Sequence, residues 1–226
     1  MKQDRQSLID DLVGDLQPVR RAGRIGRSVA AWLAVAIAYS IVIVMATGPL
    51  RPGALDDLLR FPGFALETLL AVVAIVSLAY ATARSAIPGG PSAARVARWS
   101  LLPFAAWIAV YVIGLRHPVH PVSTLGSRND CLWQVVLFSL PTFALMLWVA
   151  RRQFPLWPRL TGLLAGAAAA AIPGELMQFG CMYVPRHILT HHIAPVLVTA
   201  AIGAVVAPLA LKIRTAVPRR RDVSIH

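Results

Sequence analysis

The chain has 226 residues, 57% of them hydrophobic and only 14% charged, with a formal net charge of +12. A soluble domain carries about 25% charged residues, so this composition excludes an ordinary water-soluble globule and points to a membrane protein. The positive charge does not point to nucleic acid, because the arginines sit in short blocks between apolar runs with no base-stacking pattern or groove-reading motif.

The first polar stretch, "SLIDDLVGDLQPVRR" from Ser7 to Arg21, reads as a short helix. Ser7 followed three residues later by Asp10 is a capping-box-like start. Pro18 disfavours helical geometry at Gln17 and so marks the stop. Between them Leu8, Ile9, Leu12, Val13 and Leu16 fall on one face. Asp4, Asp11 and Asp15 border that face, and Asp10 lies across the helix. About ten residues are marginal as an isolated helix, so the apolar face needs a surface. The inner leaflet is one candidate, but helices lying on it usually present Lys or Arg, whereas this one presents aspartates to anionic lipid. A groove on a cytoplasmic partner with basic residues around it suits the pattern better.

Six apolar runs follow that can cross about 30 Å of hydrocarbon as helices of about 20 residues. They are Val29–Leu50, Phe64–Ala83, Trp99–Leu115, Leu132–Ala150, Leu160–Phe179 and Ile188–Leu211, the third being short enough to borrow flanking residues. The first is an anchor and not a cleaved signal peptide, since it is long and follows 28 polar residues containing four acids. The expected fold is therefore an all-α membrane protein of six transmembrane helices with a short amphipathic cytoplasmic N-terminal helix. Its expected divisions are a cytoplasmic segment 1–28, a transmembrane domain 29–211 and a basic tail 212–226.

An even number of spans puts both termini on one side. That side receives seventeen lysines and arginines, against Arg51, Arg60, Arg116, Arg128 and Arg186 on the other. The asymmetry predicts cytoplasmic termini. In the cytoplasmic loop "IPGGPSAARVAR", Pro88, Gly89, Gly90 and Pro91 break the helix. The glycines and alanines of "GLLAGAAAAAIPG" are explained by close helix packing, and Arg219, Arg220 and Arg221 by anchoring to the inner leaflet.

Behind its polar opening and ahead of six spans, "LIDDLVGDLQPVRR" resembles the NrsF-type anti-sigma factors, inner-membrane proteins that negatively regulate extracytoplasmic-function sigma factors. Asp15, Leu16, Gln17, Pro18 and Val19 carry the resemblance, with Asp11 and Leu12 one turn earlier. It extends to the span number and the overall length. The resemblance implies a bacterial inner-membrane protein that is not an enzyme and requires no cofactor. It also implies that Asp11, Leu12, Asp15, Leu16, Pro18, Val19 and Arg20 hold a sigma factor at the membrane, away from RNA polymerase, with no direct contact to nucleic acid.

The expected periplasmic side carries both cysteines and five of the six histidines. Cys131 opens the fourth span and Cys181 follows the fifth, so their ends face one another. His187 and His191, four apart, share a helix face. Thiolate plus imidazole favours thiophilic ions such as zinc, cadmium or copper(I), which makes Cys131, Cys181, His187 and His191 a candidate metal group. A static disulfide and a redox switch remain open for the cysteines, and packing at the membrane edge for the histidines. Glu175 lies within the fifth span beside Pro173 and Gly174, which can break or bend a helix, and an acid there faces a cavity or a partner. Gln178, one turn on, can share its polar seam. Glu67 reads as an interfacial acid near the end of the second span.

Two other function classes compete with a sigma regulator. A membrane thiol-disulfide oxidoreductase is weakened by the absence of a Cys-x-x-Cys pair. A small metal or ion transporter is weakened because its charged and helix-breaking features fall in one span, without the paired repeat positions of transporters.

Overall fold

The computed structural model describes residues 25–211 apart from 88, 129 and 154, together with 6, 7, 9, 10, 13 and 14. The fold is all-helical, and six helices are long and apolar enough to cross a membrane, making this a multi-pass membrane protein. Gln6, Ser7, Ile9, Asp10, Val13 and Gly14 are helical and exposed. The remaining residues expected to meet a partner (Asp11, Leu12, Asp15, Leu16, Pro18, Val19 and Arg20) and the tail 212–226 lie outside the described residues.

Helix α1 spans Ile25–Ala46, starting and stopping four residues earlier than the hydropathy pattern predicts. Its stop has a local cause. The Thr47 hydroxyl bonds back to the carbonyls of Ile43 at 3.1 Å and Val44 at 3.0 Å, and Pro49 then disfavours helical geometry at Gly48. A short helix absent from the sequence-based expectation, α2 (Ala54–Arg60), follows Gly53, whose φ of 79° favours glycine. Asp56 and Asp57 in its first turn complement the helix dipole.

The other spans are α3 (Pro62–Ser85), α4 (Ala93–Gly114), α5 (Cys131–Arg151), α6 (Pro158–Gly180) and α7 (Pro185–Ala210). The third span does extend into its flanking residues, reaching 22 in all. Helix α6 runs through Pro173 without interruption.

Helix α6 is the axis of the bundle, packed by α1, α3, α5 and α7. Of its apolar window 83% is buried, against 28–44% for the other spans. Only small residues permit this. A Cβ at Gly162 would strike the Gly203 carbonyl and Ala207, and one at Gly166 would strike the Thr199 carbonyl, so α6 and α7 touch almost backbone to backbone. Polar links fasten neighbouring helices: Ser85 Oγ lies 2.9 Å from Thr161 Oγ1, and Trp32 Nε1 donates to Thr142 O at 3.0 Å. The outward faces carry exposed apolar residues such as Val42, Leu69, Leu102 and Val205, as lipid contact demands.

Because the spans alternate in direction, the bundle has two ends. The cysteine end comprises α2, the loop 115–130 and the loop 181–184. The arginine end comprises the loops 86–92 and 152–157 with the start of α1 and the finish of α7. Two loops of the cysteine end are pinned together, Ser123 and Tyr183 forming an antiparallel bridge whose Ser123 N–H donates to Tyr183 O at 2.9 Å.

Candidate functional site: a buried cysteine and histidine cluster

Cys131 is the first residue of α5, and Cys181 follows the last residue of α6 in extended geometry. Both are free and fully buried, with their sulfurs 3.0 Å apart. The two antiparallel helices thus deliver the cysteines to one point. Arg128 secures the approach: its carbonyl accepts from Cys131 Sγ at 3.4 Å, and its guanidinium donates to Pro49 O at 2.7 Å. Gly48 and Gly180 leave room for that guanidinium, since a Cβ at either would press on it.

The histidines arrive from α7. His187 Nε2 lies 3.3 Å from Cys181 Sγ. Cys131, Cys181, His187 and His192 each offer one ligand atom, and the four atoms all lie within 4.8 Å of one another. His192 therefore stands where α-helical spacing places His191. The cause is a π-helical segment, Ile188–Ile193, whose wider turn brings residue i+5 round to residue i. Pro195 contributes, because it has no N–H for the His191 carbonyl and its ring crowds that group. Gly174 on α6 seats the widened turn, a Cβ there coming within 3.1 Å of the His192 carbonyl. His191 instead stacks on His187 with ring centroids 4.2 Å apart, and its Nδ1 lies 2.7 Å from Thr190 Oγ1. His192 is fully buried, and among the described residues neither of its ring nitrogens meets the geometry of a hydrogen bond.

Two thiols and two imidazoles form a donor set suited to a tetrahedral thiophilic ion. At normal bond lengths such an ion spaces its ligand atoms by roughly 3.3–3.8 Å, so admitting it requires the two sulfurs, now 3.0 Å apart, to separate. The thiol pair also has the chemistry to form a disulfide. A hydrogen bond from Cys131, aided by His187, holds the Cys181 thiol well below its ordinary pKa, although burial works against this. Cys181 is accordingly the more thiolate-like sulfur.

A polar seam runs beneath the cluster. Glu175 is buried in α6 and outside the four-donor group, its Oε2 accepting from Gln178 Nε2 at 2.9 Å. Gln178 Nε2 also donates to Tyr111 Oη on α4 at 2.6 Å. Glu67 is fully buried, not interfacial as its position in the span implies, and accepts from Tyr183 Oη at 2.8 Å. Burial pushes the Tyr183 hydroxyl well above its ordinary pKa, and the Glu67 charge adds to this, so it remains a donor. Tyr183 is two residues from Cys181, which ties the cysteine loop to α3.

Beside the seam, Arg51 Nη1 pairs with Asp57 Oδ2 at 2.7 Å, and His120 Nε2 lies 3.2 Å from the same oxygen. His120 is buried between Phe61, Phe64 and Tyr183, with ring centroids 4.6–5.3 Å away. His117 is exposed.

The NrsF family, described as negative regulator of sigma F, matches residues 12–212. The chain belongs to the NrsF family. That match takes in the bundle and the whole cysteine and histidine cluster. Members of the NrsF family are negative regulators of a sigma factor, so this is a family of anti-sigma regulators and not of enzymes. No curated protein and no solved structure is similar enough to the chain to count as a match.

Proposed function

We propose that this chain is an anti-sigma factor of the bacterial inner membrane with both termini in the cytoplasm. Its segment 1–28 holds an extracytoplasmic-function sigma factor through Asp11, Leu12, Asp15, Leu16, Pro18, Val19 and Arg20, and the basic tail 212–226 anchors to the inner leaflet. Family membership over residues 12–212 carries the reading. The excess of seventeen basic residues over five supports the orientation. The test is to embed the full chain in lipid nanodiscs, expose it to cytosol of its source and identify retained proteins by mass spectrometry. Recovery of a sigma factor that falls at least tenfold with Asp15→Ala and Leu16→Ala together is expected. A sigma factor held equally well by that variant would remove the segment from its role.

The signal belongs to the cysteine end. A thiophilic metal ion taken by Cys131, Cys181, His187 and His192 would part the start of α5 from the end of α6 and tie both to the π-helical turn of α7. An ion shifts the bundle only if it binds one state better than another, and the separation of the two sulfurs that admits it supplies that difference. Oxidation is a second reading, supported by the 3.0 Å between the free sulfurs. There the two thiols give two protons and two electrons to an oxidant and join as a disulfide.

A further inference from the structure

We propose that the groove between α3 and α4 at the arginine end binds an anionic phospholipid, with Arg84 and Arg95 taking its phosphate and an acyl chain lying along Tyr80, Val96 and Trp99. This rests on the six helices crossing a membrane and is independent of which sigma factor the chain regulates. The groove encloses about 410 Å³ between two neighbouring spans, within the roughly 300–1,000 Å³ of small-ligand sites. Its walls are Ser77, Tyr80 and Ala81 on α3 with Val96, Trp99 and Ser100 on α4, and Pro91 lies at the turn joining the helices.

Charge decides the occupant. Between residues 25 and 211 the acids are Asp56, Asp57, Glu67, Asp130 and Glu175, all at the cysteine end. The ion pairs found among the described residues, Arg51–Asp57 and His120–Asp57, lie there too. Arg84 and Arg95 therefore share a groove with no acid in it, and a phosphodiester is the anion a membrane supplies at that depth. Guanidinium groups suit phosphate oxygens through paired N–H donors. The groove also opens sideways, toward lipid: Trp99 is 67% and Tyr80 48% exposed, the placement of an interfacial aromatic belt.

Two other grooves at this end do not match it. In one, Arg152 already stacks over the Trp148 ring at 3.6 Å, and the other is lined by Arg159 alone among charged residues. Only the α3–α4 groove of these three brings two arginines together. The acidic opening segment is the competing occupant, but the groove is cut into lipid-facing sides of two spans, where a lipid needs no displacement of neighbours.

The test uses the full chain reconstituted with equal amounts of phosphatidylglycerol and phosphatidylethanolamine, then native mass spectrometry of the lipids it retains. The wild type is expected to keep phosphatidylglycerol in preference. Arg84→Gln with Arg95→Gln is expected to lose that preference by about tenfold or more, while Arg98→Gln keeps it. Arg84→Lys with Arg95→Lys, which retains charge, restores most of it. Equal preference in the wild type and the glutamine variant would overturn the proposal. So would a wild type that retains anionic lipid only after residues 1–24 are removed, which would give the groove to the acidic segment.

Discussion

At the cysteine end, several charged and polar groups are turned inward and joined to one another: Glu67 to Tyr183, Gln178 to Glu175 and Tyr111, Arg51 to Asp57. At the arginine end, Arg95, Arg98, Arg151, Arg152 and Arg159 are exposed and Arg84 is half-buried, and the described residues of the loops and helix ends there include no acid. Buried polar groups left unpaired cost stability, so the first arrangement fixes one geometry among several helices and the loops between them. In the second, Arg152 stacks over Trp148, while Arg84 and Arg95 share a groove lined by no acid. That division suits the proposed regulator, which would receive its signal at one end and hold its target at the other.

The largest expected effect tests whether the cysteine end is the receiving end. Replacing Cys131 and Cys181 by serine removes the soft donors, and cadmium retention by the purified protein, measured by elemental mass spectrometry, is expected to disappear. Lipid retention at the other end should be unchanged. Next comes the π-helical turn. His192→Ala is expected to weaken cadmium binding about 100-fold, at the upper end of what even outer-sphere partners are worth, whereas His191→Ala should leave it within about twofold; a titration of each variant distinguishes them. Equal losses would return His191 to the donor set.

Smaller effects sharpen the contrast between the ends and the axis that joins them. Gly166→Leu drives a side chain into the Thr199 backbone and is expected to cost about 1–3 kcal/mol, read as a lower unfolding temperature in detergent. Because it acts on the axis, it should impair both ends together. Tyr183→Phe removes the 2.8 Å bond to Glu67; leaving that buried oxygen unpaired costs about 1 kcal/mol or somewhat more. Its melting shift should be accompanied by weaker cadmium binding, since Tyr183 holds the cysteine loop against α3.

The spans were legible because a run of about twenty apolar residues matches the thickness of a bilayer and exceeds what a soluble core helix can bury on every side. The close packing of Gly162 and Gly166 was legible for a related reason, small residues in a span having little use except contact. Helix α2 was not, since seven residues with two acids in the first turn carry no span signal. The meeting of Cys131 and Cys181 followed from antiparallel neighbours with facing ends. The choice of His192 over His191 did not, because α-helical spacing assumes the regular turn that the π segment replaces; Pro195, three residues past His192, was the available clue. The burial of Glu67 was hidden because its partner Tyr183 lies 116 residues away, a pairing no local pattern reveals.

The most direct measurement follows a sigma factor held by the full chain in nanodiscs while cadmium is added, for the wild type and for the variant with Cys131→Ser and Cys181→Ser. Both proteins are expected to hold the sigma factor in the absence of metal, and only the wild type to release it. Release from the serine variant at the same cadmium concentration would contradict the assignment of the signal to the cysteine end.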